Sequence, residues 1–230
     1  MDILEGLNPA QREAVESTNG PLLILAGPGS GKTRVIAHRV AYLIKVWEIN
    51  PYHILAVTFT NKAAREMKER LYHLLGDTVE DLTIGTFHAI CARILRREGS
   101  QIGVEPRFVI YDDDDQLSLI KRSLIELDID PKRSPPRPFH SAISSAKSHL
   151  TAPEDYVKNS YFDEGAGRVY QRYQEILDDT NALDFDDLLM KTVSLFRQCP
   201  EVLYKYQKRY HHVLVDEFQD TNTVQYKLAK

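Results

Sequence analysis

The segment Ala26-Gly27-Pro28-Gly29-Ser30-Gly31-Lys32-Thr33 constrains this chain more than any other stretch. Glycines at 27, 29 and 31 let the backbone turn tightly and let its N–H groups converge without interference from Cβ atoms. The apolar run Pro21-Leu22-Leu23-Ile24-Leu25 before it has the length and flanks of a buried strand, and Arg34–Ile44 after it carries apolar residues at helical spacing. Strand, glycine-rich turn, Gly-Lys-Thr and helix are the context of a phosphate-binding loop. The helix N-terminus adds partial positive charge. In such a loop Lys32 reaches the β- and γ-phosphates and the Thr33 hydroxyl ligates Mg²⁺. Position 26 is alanine where the pattern has its first glycine, and the remaining glycines keep the turn. A chance glycine-rich turn before a surface lysine is the plain alternative, and it leaves the flanking strand and helix unexplained.

At 230 residues the chain holds one large domain or two small ones, with an apolar fraction of 43% that is ordinary for a globular protein. No apolar run approaches a membrane span, and Met1-Asp2-Ile3-Leu4-Glu5 is not a signal segment, so a cytoplasmic location without membrane contact is expected. Cys91 and Cys199 stand alone and read as reduced, packed thiols. The net charge of −4 does not advertise nucleic-acid binding, but the charges segregate. Acids gather at Asp112–Asp115 and Asp178–Asp187, bases at Lys62–Arg70, Arg93–Arg97 and Lys132–Lys147. The basic runs are either a local groove for a polyanion or solvated helix faces.

Along the chain, Asn8–Glu16 reads as a short helix capped by Asn8 with Pro9 at its first position. Strands are expected at Leu22–Leu25, His53–Thr58 and Leu82–Gly85, with helices at Gly31–Val46, Asn61–Leu75 and Thr86–Arg97. This alternation is the signature of a doubly wound parallel α/β sheet. From Gly99 to Asn181 the pattern is almost wholly helical, with helices from Asp112 or Asp113 to about Leu127, Phe139–His149 and Glu164–Asp178. Helices follow at Phe185–Phe196 and Glu201–Tyr210, then a strand at His212–Val215 and a helix from Thr223. The expected division is 1–98 and 182–230 as two segments of an α/β domain, with 99–181 inserted as a helical subdomain. The short last helix, uncapped at Lys230, reads as the end of an N-terminal fragment of a longer protein, although a protein complete at Lys230 is the alternative.

Val213-Leu214-Val215-Asp216-Glu217 is an apolar strand ending in two acids, the second half of a nucleotide site. Asp216 would hold Mg²⁺ through a water, and Glu217 would orient or deprotonate the attacking water. Thr58-Phe59-Thr60-Asn61 follows a strand and so lies at the C-terminal edge of the sheet, where ligands bind in such folds. Phe59 offers either a face for base stacking or a core aromatic. Thr86, Phe87 and His88 occupy the equivalent edge after the next strand, and His88 has no second metal ligand at helical spacing. Asp184–Asp187 reads equally as helix capping and packing or as chemistry.

The order Leu7-Asn8-Pro9-Ala10-Gln11, Ala26–Thr33, Thr58–Ala64, Gly85–His88, Leu183–Leu189 and Asp216–Asn222 resembles that of superfamily 1 DNA helicases of the UvrD/Rep type. The resemblance runs through the whole chain. It implies a P-loop NTPase with a RecA-like sheet, driven by ATP and Mg²⁺ and moving 3′ to 5′ on single-stranded DNA at duplex junctions. Gln11 then resembles the adenine reader and Arg34 the residue flanking adenine. Ala26, Gly27, Pro28, Gly29, Ser30, Gly31, Lys32 and Thr33 resemble the phosphate and metal loop. Asp216 and Glu217 resemble the metal and water residues, and Gln219 a residue near the γ-phosphate. Thr58, Phe59, Thr60, Asn61, Thr86, Phe87 and His88 resemble the DNA-contact segments. Repair or replication proteins are the partners it suggests, and the chain itself is expected to be monomeric. The competing readings are a helicase fused to a nuclease, a phosphotransferase using the same loop, and a non-catalytic nucleotide- or DNA-binding module.

Overall fold

A computed structural model of the chain describes residues 2–27, 29–157 and 160–230. The chain begins with α1 (Pro9–Glu16), α2 (Lys32–Lys45), β1 (Ile54–Thr58), α3 (Asn61–Leu75), β2 (Thr83–Thr86) and α4 (Phe87–Glu98). It continues through β3 (Val109–Ile110), α5 (Asp113–Glu126), α6 (Pro136–Ser148), α7 (Tyr161–Asp179) and β4 (Ala182–Leu183). The last elements are α8 (Phe185–Gln198), α9 (Pro200–Arg209), β5 (His212–Val215) and α10 (Thr223–Ala229). Two compact units result: Met1–Phe87 with Tyr204–Asp220, and His88–Leu203 with Thr221–Lys230. No helix among the described residues is long and apolar enough to cross a membrane.

In the first unit β2, β1 and β5 form a parallel sheet in that order, with Leu55 opposite Thr83 and Ile54 opposite His212. Ile54, Ala56 and Val57 are buried, as a continuous apolar strand inside an α/β layer requires. Ile36, Val40 and Leu43 of α2 and Met67, Leu71 and Leu75 of α3 recur at one-turn spacing and close on Ile54 and Ala56 in one core. Local chemistry sets the helix starts. Asn8 and Gln11 make a reciprocal capping box on α1, and the Thr60 hydroxyl accepts the Ala63 N–H at 3.0 Å to start α3.

The strand expected at Leu22–Leu25 does not form. Residues 21–27 are irregular, and Leu22, Leu23 and Leu25 are 42%, 66% and 87% exposed. An apolar run becomes a strand only where another strand offers a hydrogen-bonding edge, and among the described residues none pairs with this one.

The second unit is mainly helical. Leu119, Ile120 and Leu124 of α5, Phe139 and Ile143 of α6, and Tyr170, Tyr173 and Ile176 of α7 share one core. The stretch expected to be helical also contains β3, which pairs in parallel with β4 through Val109–Ala182 and Ile110–Leu183. Asp112 caps α5 with a box closed by Asp115. Helix α6 starts at Pro136, ahead of the expected Phe139, because proline is accommodated at the first helical position, where no N–H is needed. Helix α7 starts at Tyr161, ahead of the expected Glu164, because the Ser160 hydroxyl accepts the Asp163 N–H at 3.1 Å.

Lys147 is neither a groove cation nor a solvated one. It is 1% exposed, and its Nζ lies 2.6 Å from Asp184 Oδ2 and 2.8 Å from Asp187 Oδ1. Asp184 caps α8 in a box with Asp187 and also accepts the Tyr173 hydroxyl at 2.9 Å. Burial opposes the ammonium, but the two carboxylates outweigh it and raise the Lys147 pKa. Burial likewise opposes the Asp184 anion, and Lys147 nevertheless holds its pKa below the usual range. Burial and the neighbouring Asp184 raise that of Asp187. Lys147→Ala would leave two buried carboxylates without a cation, and roughly 3–5 kcal/mol of stability should be lost in chemical denaturation. Cys91 and Cys199 are free and buried, and burial pushes the Cys91 thiol up to about 12. Cys91 should therefore resist iodoacetamide at neutral pH until denaturant opens the second unit, which mass spectrometry of the alkylated chain will read.

Candidate functional site

The loop residues take the conformations their types allow. Gly29 and Gly31 have φ of +74° and +84°, and Gly31 is the residue from which α2 starts. A Cβ at Gly31 would lie 3.2 Å from Gln11 Nε2. Ser30 folds the turn on itself, its hydroxyl donating to Gly27 O at 2.6 Å. Pro28 lies outside the described residues. Lys32 and Thr33 open α2, so their backbone N–H groups belong to the unpaired first turn of a helix.

Strand β5 brings the acids to this loop. The Asp216 N–H donates to Val57 O at 2.9 Å, continuing the β1–β5 ladder one residue beyond the strand. Asp216 is 4% exposed, and its Oδ2 accepts the Thr33 hydroxyl at 2.9 Å. A hydroxyl and a carboxylate side by side are the hard oxygen donors that Mg²⁺ takes, Thr33 as a ligand and Asp216 through a water. Glu217 follows with φ +51°, a left-handed conformation that costs an L-residue roughly 1–2 kcal/mol. Backbone strain of this kind clusters at functional sites. Its carboxylate lies 3.7 Å from Lys32 Nζ and accepts the Gln219 amide at 2.5 Å. Lys32 Nζ also donates to Ala26 O at 3.5 Å. A half-exposed ion pair therefore occupies the ground where a terminal phosphate would meet the lysine.

Gln11 lies beside the loop with both ends of its amide engaged. Its Nε2 donates to Ser30 O at 2.8 Å and its Oε1 accepts the Asn8 N–H at 3.0 Å. The spacing to Asn8 is a capping-box signature, so the glutamine serves the start of its own short helix. Arg34 lies against the backbone at Gly6, where a Cβ would stand 2.8 Å from its Nη2.

The residues expected to meet nucleic acid separate by exposure. Thr58, Thr86 and Phe87 are buried at 0%, 7% and 5% exposure, and the Thr58 hydroxyl donates to Thr60 O. Their side chains support the sheet edge rather than face solvent. Phe59 is half-buried with its ring edge-on to Phe87 at 5.9 Å, while Thr60 and Asn61 are exposed. His88 belongs to the second unit, in the first turn of α4, with its ring edge-on to Phe185 at 5.7 Å. Burial lowers its pKa, opposed by the charge of Asp186.

A strained acid beside a lysine loop at the C-terminal edge of a parallel sheet is the arrangement of a P-loop nucleotide-binding protein. The chain belongs to the UvrD/REP helicase N-terminal domain family, which matches residues 7–230. It is 52% identical to the ATP-dependent DNA helicase PcrA of Bacillus subtilis over 230 residues, 99% of this chain and 31% of that protein. It is 50% identical to the proteins of the same name from Staphylococcus aureus and Staphylococcus epidermidis, again across 99% of this chain and 32% of theirs. The chain thus spans about a third of the length of these relatives.

Because Gly31 combines a left-handed backbone with a close neighbour, Gly31→Ala should cost about 1–2 kcal/mol, read as a lower denaturation midpoint of the first unit.

Proposed function

We propose that this chain is the ATP- and single-stranded-DNA-binding part of a DNA helicase that moves 3′ to 5′. The observation that carries this reading is the convergence of Lys32, Thr33, Asp216 and Glu217 at one sheet edge. The family and the relatives named above support the same activity. Thr33 and Asp216 would hold Mg²⁺, which when bound offsets charge on the phosphates. Lys32 exchanges its ion pair with Glu217 for the β- and γ-phosphates, since a phosphate carries more charge than the carboxylate it replaces. Glu217, released from the lysine and still hydrogen-bonded by Gln219, orients the attacking water. The backbone of Gly27–Gly31 and the first turn of α2 cradle the phosphates. Gln11 meets adenine by releasing Ser30, and Arg34 flanks the base.

On the DNA side, Phe59 stacks a base and Thr60 and Asn61 contact the backbone, with Thr58, Thr86 and Phe87 as their buried support. His88 is a further DNA-contact residue in this reading. The division into 1–98, 99–181 and 182–230 belongs to this proposal, with the shared helical core of α5, α6 and α7 as its support, although the compact units divide at 87/88 and 203/204 and β3 pairs with β4 across the 181/182 boundary. So do duplex junctions as substrate, repair or replication proteins as partners, and a monomeric state. In the resembling helicases a second RecA-like domain senses ATP across a cleft. An arginine supplied across such a cleft contributes about 10³–10⁵ in rate. These 230 residues by themselves should therefore turn ATP over slowly.

The first test is ATP turnover by this chain with and without a single-stranded oligonucleotide. Lys32→Ala should abolish nucleotide binding, and unchanged affinity would remove the loop from the site. Phe59→Ala should weaken oligonucleotide binding by about 1–3 kcal/mol, roughly five- to hundredfold, in fluorescence anisotropy. No change would return Phe59 to the role of a packing residue.

A further inference from the structure

The opposite, N-terminal edge of the same sheet carries basic side chains that the phosphate-loop chemistry does not use. Because β1 and β5 run parallel, His53 before β1 and His211 and His212 at the start of β5 emerge together. The His53 and His211 rings are stacked, with centroids 4.5 Å apart and planes within 2° of parallel. The His211 N–H donates to His53 O at 3.0 Å, which fixes the pair through the backbone as well. Arg209 joins them. Its guanidinium lies 4.4 Å from the Tyr52 ring and 5.1 Å from the Tyr210 ring, and its Nε is buried with no acceptor among the described residues. Arg39 arrives from α2, gives one N–H to Ala14 O at 2.7 Å, and acts electrostatically on His212 together with His53 and His211.

The surrounding carboxylates do not answer this charge. Those on the elements packed nearest are Glu13 and Glu16 of α1 and Asp77, Glu80 and Asp81 of the turn before β2. Glu80 is paired with Lys68 at 2.9 Å and Asp77 accepts the Tyr72 hydroxyl at 3.4 Å. Among the described residues none of the five forms an ion pair with Arg39, Arg209 or the three histidines. Burial first, and then His211, Arg39 and His53, hold the His212 pKa below the usual imidazole range. Cations gathered without an ion-paired carboxylate gain most from an oxyanion, which supplies the charge.

We propose that this edge is an oxyanion site that takes a phosphate group. It is independent of the phosphate loop, which lies at the other end of the same strands. The probe is inorganic phosphate, followed by NMR of the imidazole side chains in the whole 230-residue chain. The His53, His211 and His212 signals should shift saturably as phosphate is added at constant pH and ionic strength. Backbone amides of Gly29–Lys32 report loop binding separately. Dimethyl phosphate in place of inorganic phosphate separates a phosphodiester ligand from a free or monoester phosphate. His211→Gln, at an exposed position, should weaken phosphate binding about fivefold or more, as should Arg209→Gln. Histidine shifts reproduced by sodium chloride at equal ionic strength would overturn the proposal. So would an affinity unchanged in His211→Gln.

Discussion

The parallel pairing of β1 with β5 is the contact on which the rest of the first unit depends. Parallel strands end at a common edge, so pairing Val57 with Val215 places Asp216 beside the end of β1 and within reach of Thr33. The same pairing places His53, His211 and His212 together at the other edge. One ladder therefore makes two chemically opposite ends, a carboxylate end beside the lysine loop and a cationic end whose nearby carboxylates form no ion pair with it among the described residues. The strands are separated in sequence by His88–Leu203, the larger part of the second unit. Closing so long a loop costs entropy only slowly with its length, which is why such an insertion is tolerated in the middle of a site.

The second unit is organised by a different interaction. A lysine shared by two carboxylates inside a helical core loses the solvation of all three charges and recovers it only through close geometry. That geometry requires α6, α7 and the first turn of α8 to stand in one arrangement, since Lys147, Tyr173 and Asp184 come one from each of α6, α7 and the cap of α8. An apolar core would tolerate sliding of these helices; a buried three-charge cluster with directional hydrogen bonds does not.

Much of this was legible from short-range chemistry. The starts of α1, α3 and α5 follow from Asn8, Thr60 and Asp112, and the cores of α2 and α3 follow from apolar residues one turn apart. The equal weight given to capping at Asp184–Asp187 also rests on local pattern, and capping is what the backbone shows there. What was not legible depends on a partner far along the chain. Nothing near Lys147 distinguishes it from the solvated bases that precede it, because its burial is decided by Asp184 and Asp187. Leu22–Leu25 has the composition of a strand, but composition cannot supply the neighbour that makes one. Phe59 and Phe87 look alike as aromatics after strands, yet one is half-buried and the other buried, since only packing sets which ring lies beneath.

By itself the sequence determined that this chain carries a glycine loop ending in Lys32-Thr33, a strand ending in Asp216-Glu217, and helices capped where Asn, Thr and Asp precede apolar periodicity. These are properties of a residue and its close neighbours: φ freedom at glycine, side-chain to backbone hydrogen bonds, and the spacing of apolar positions. Tertiary structure decided which charges meet. Lys32 faces Glu217, Lys147 sinks between Asp184 and Asp187, and His53 stacks on His211, each across a sequence gap that no local rule spans. Charge interactions act through space, so their partners exist only once the sheet and the helical core have brought distant segments together.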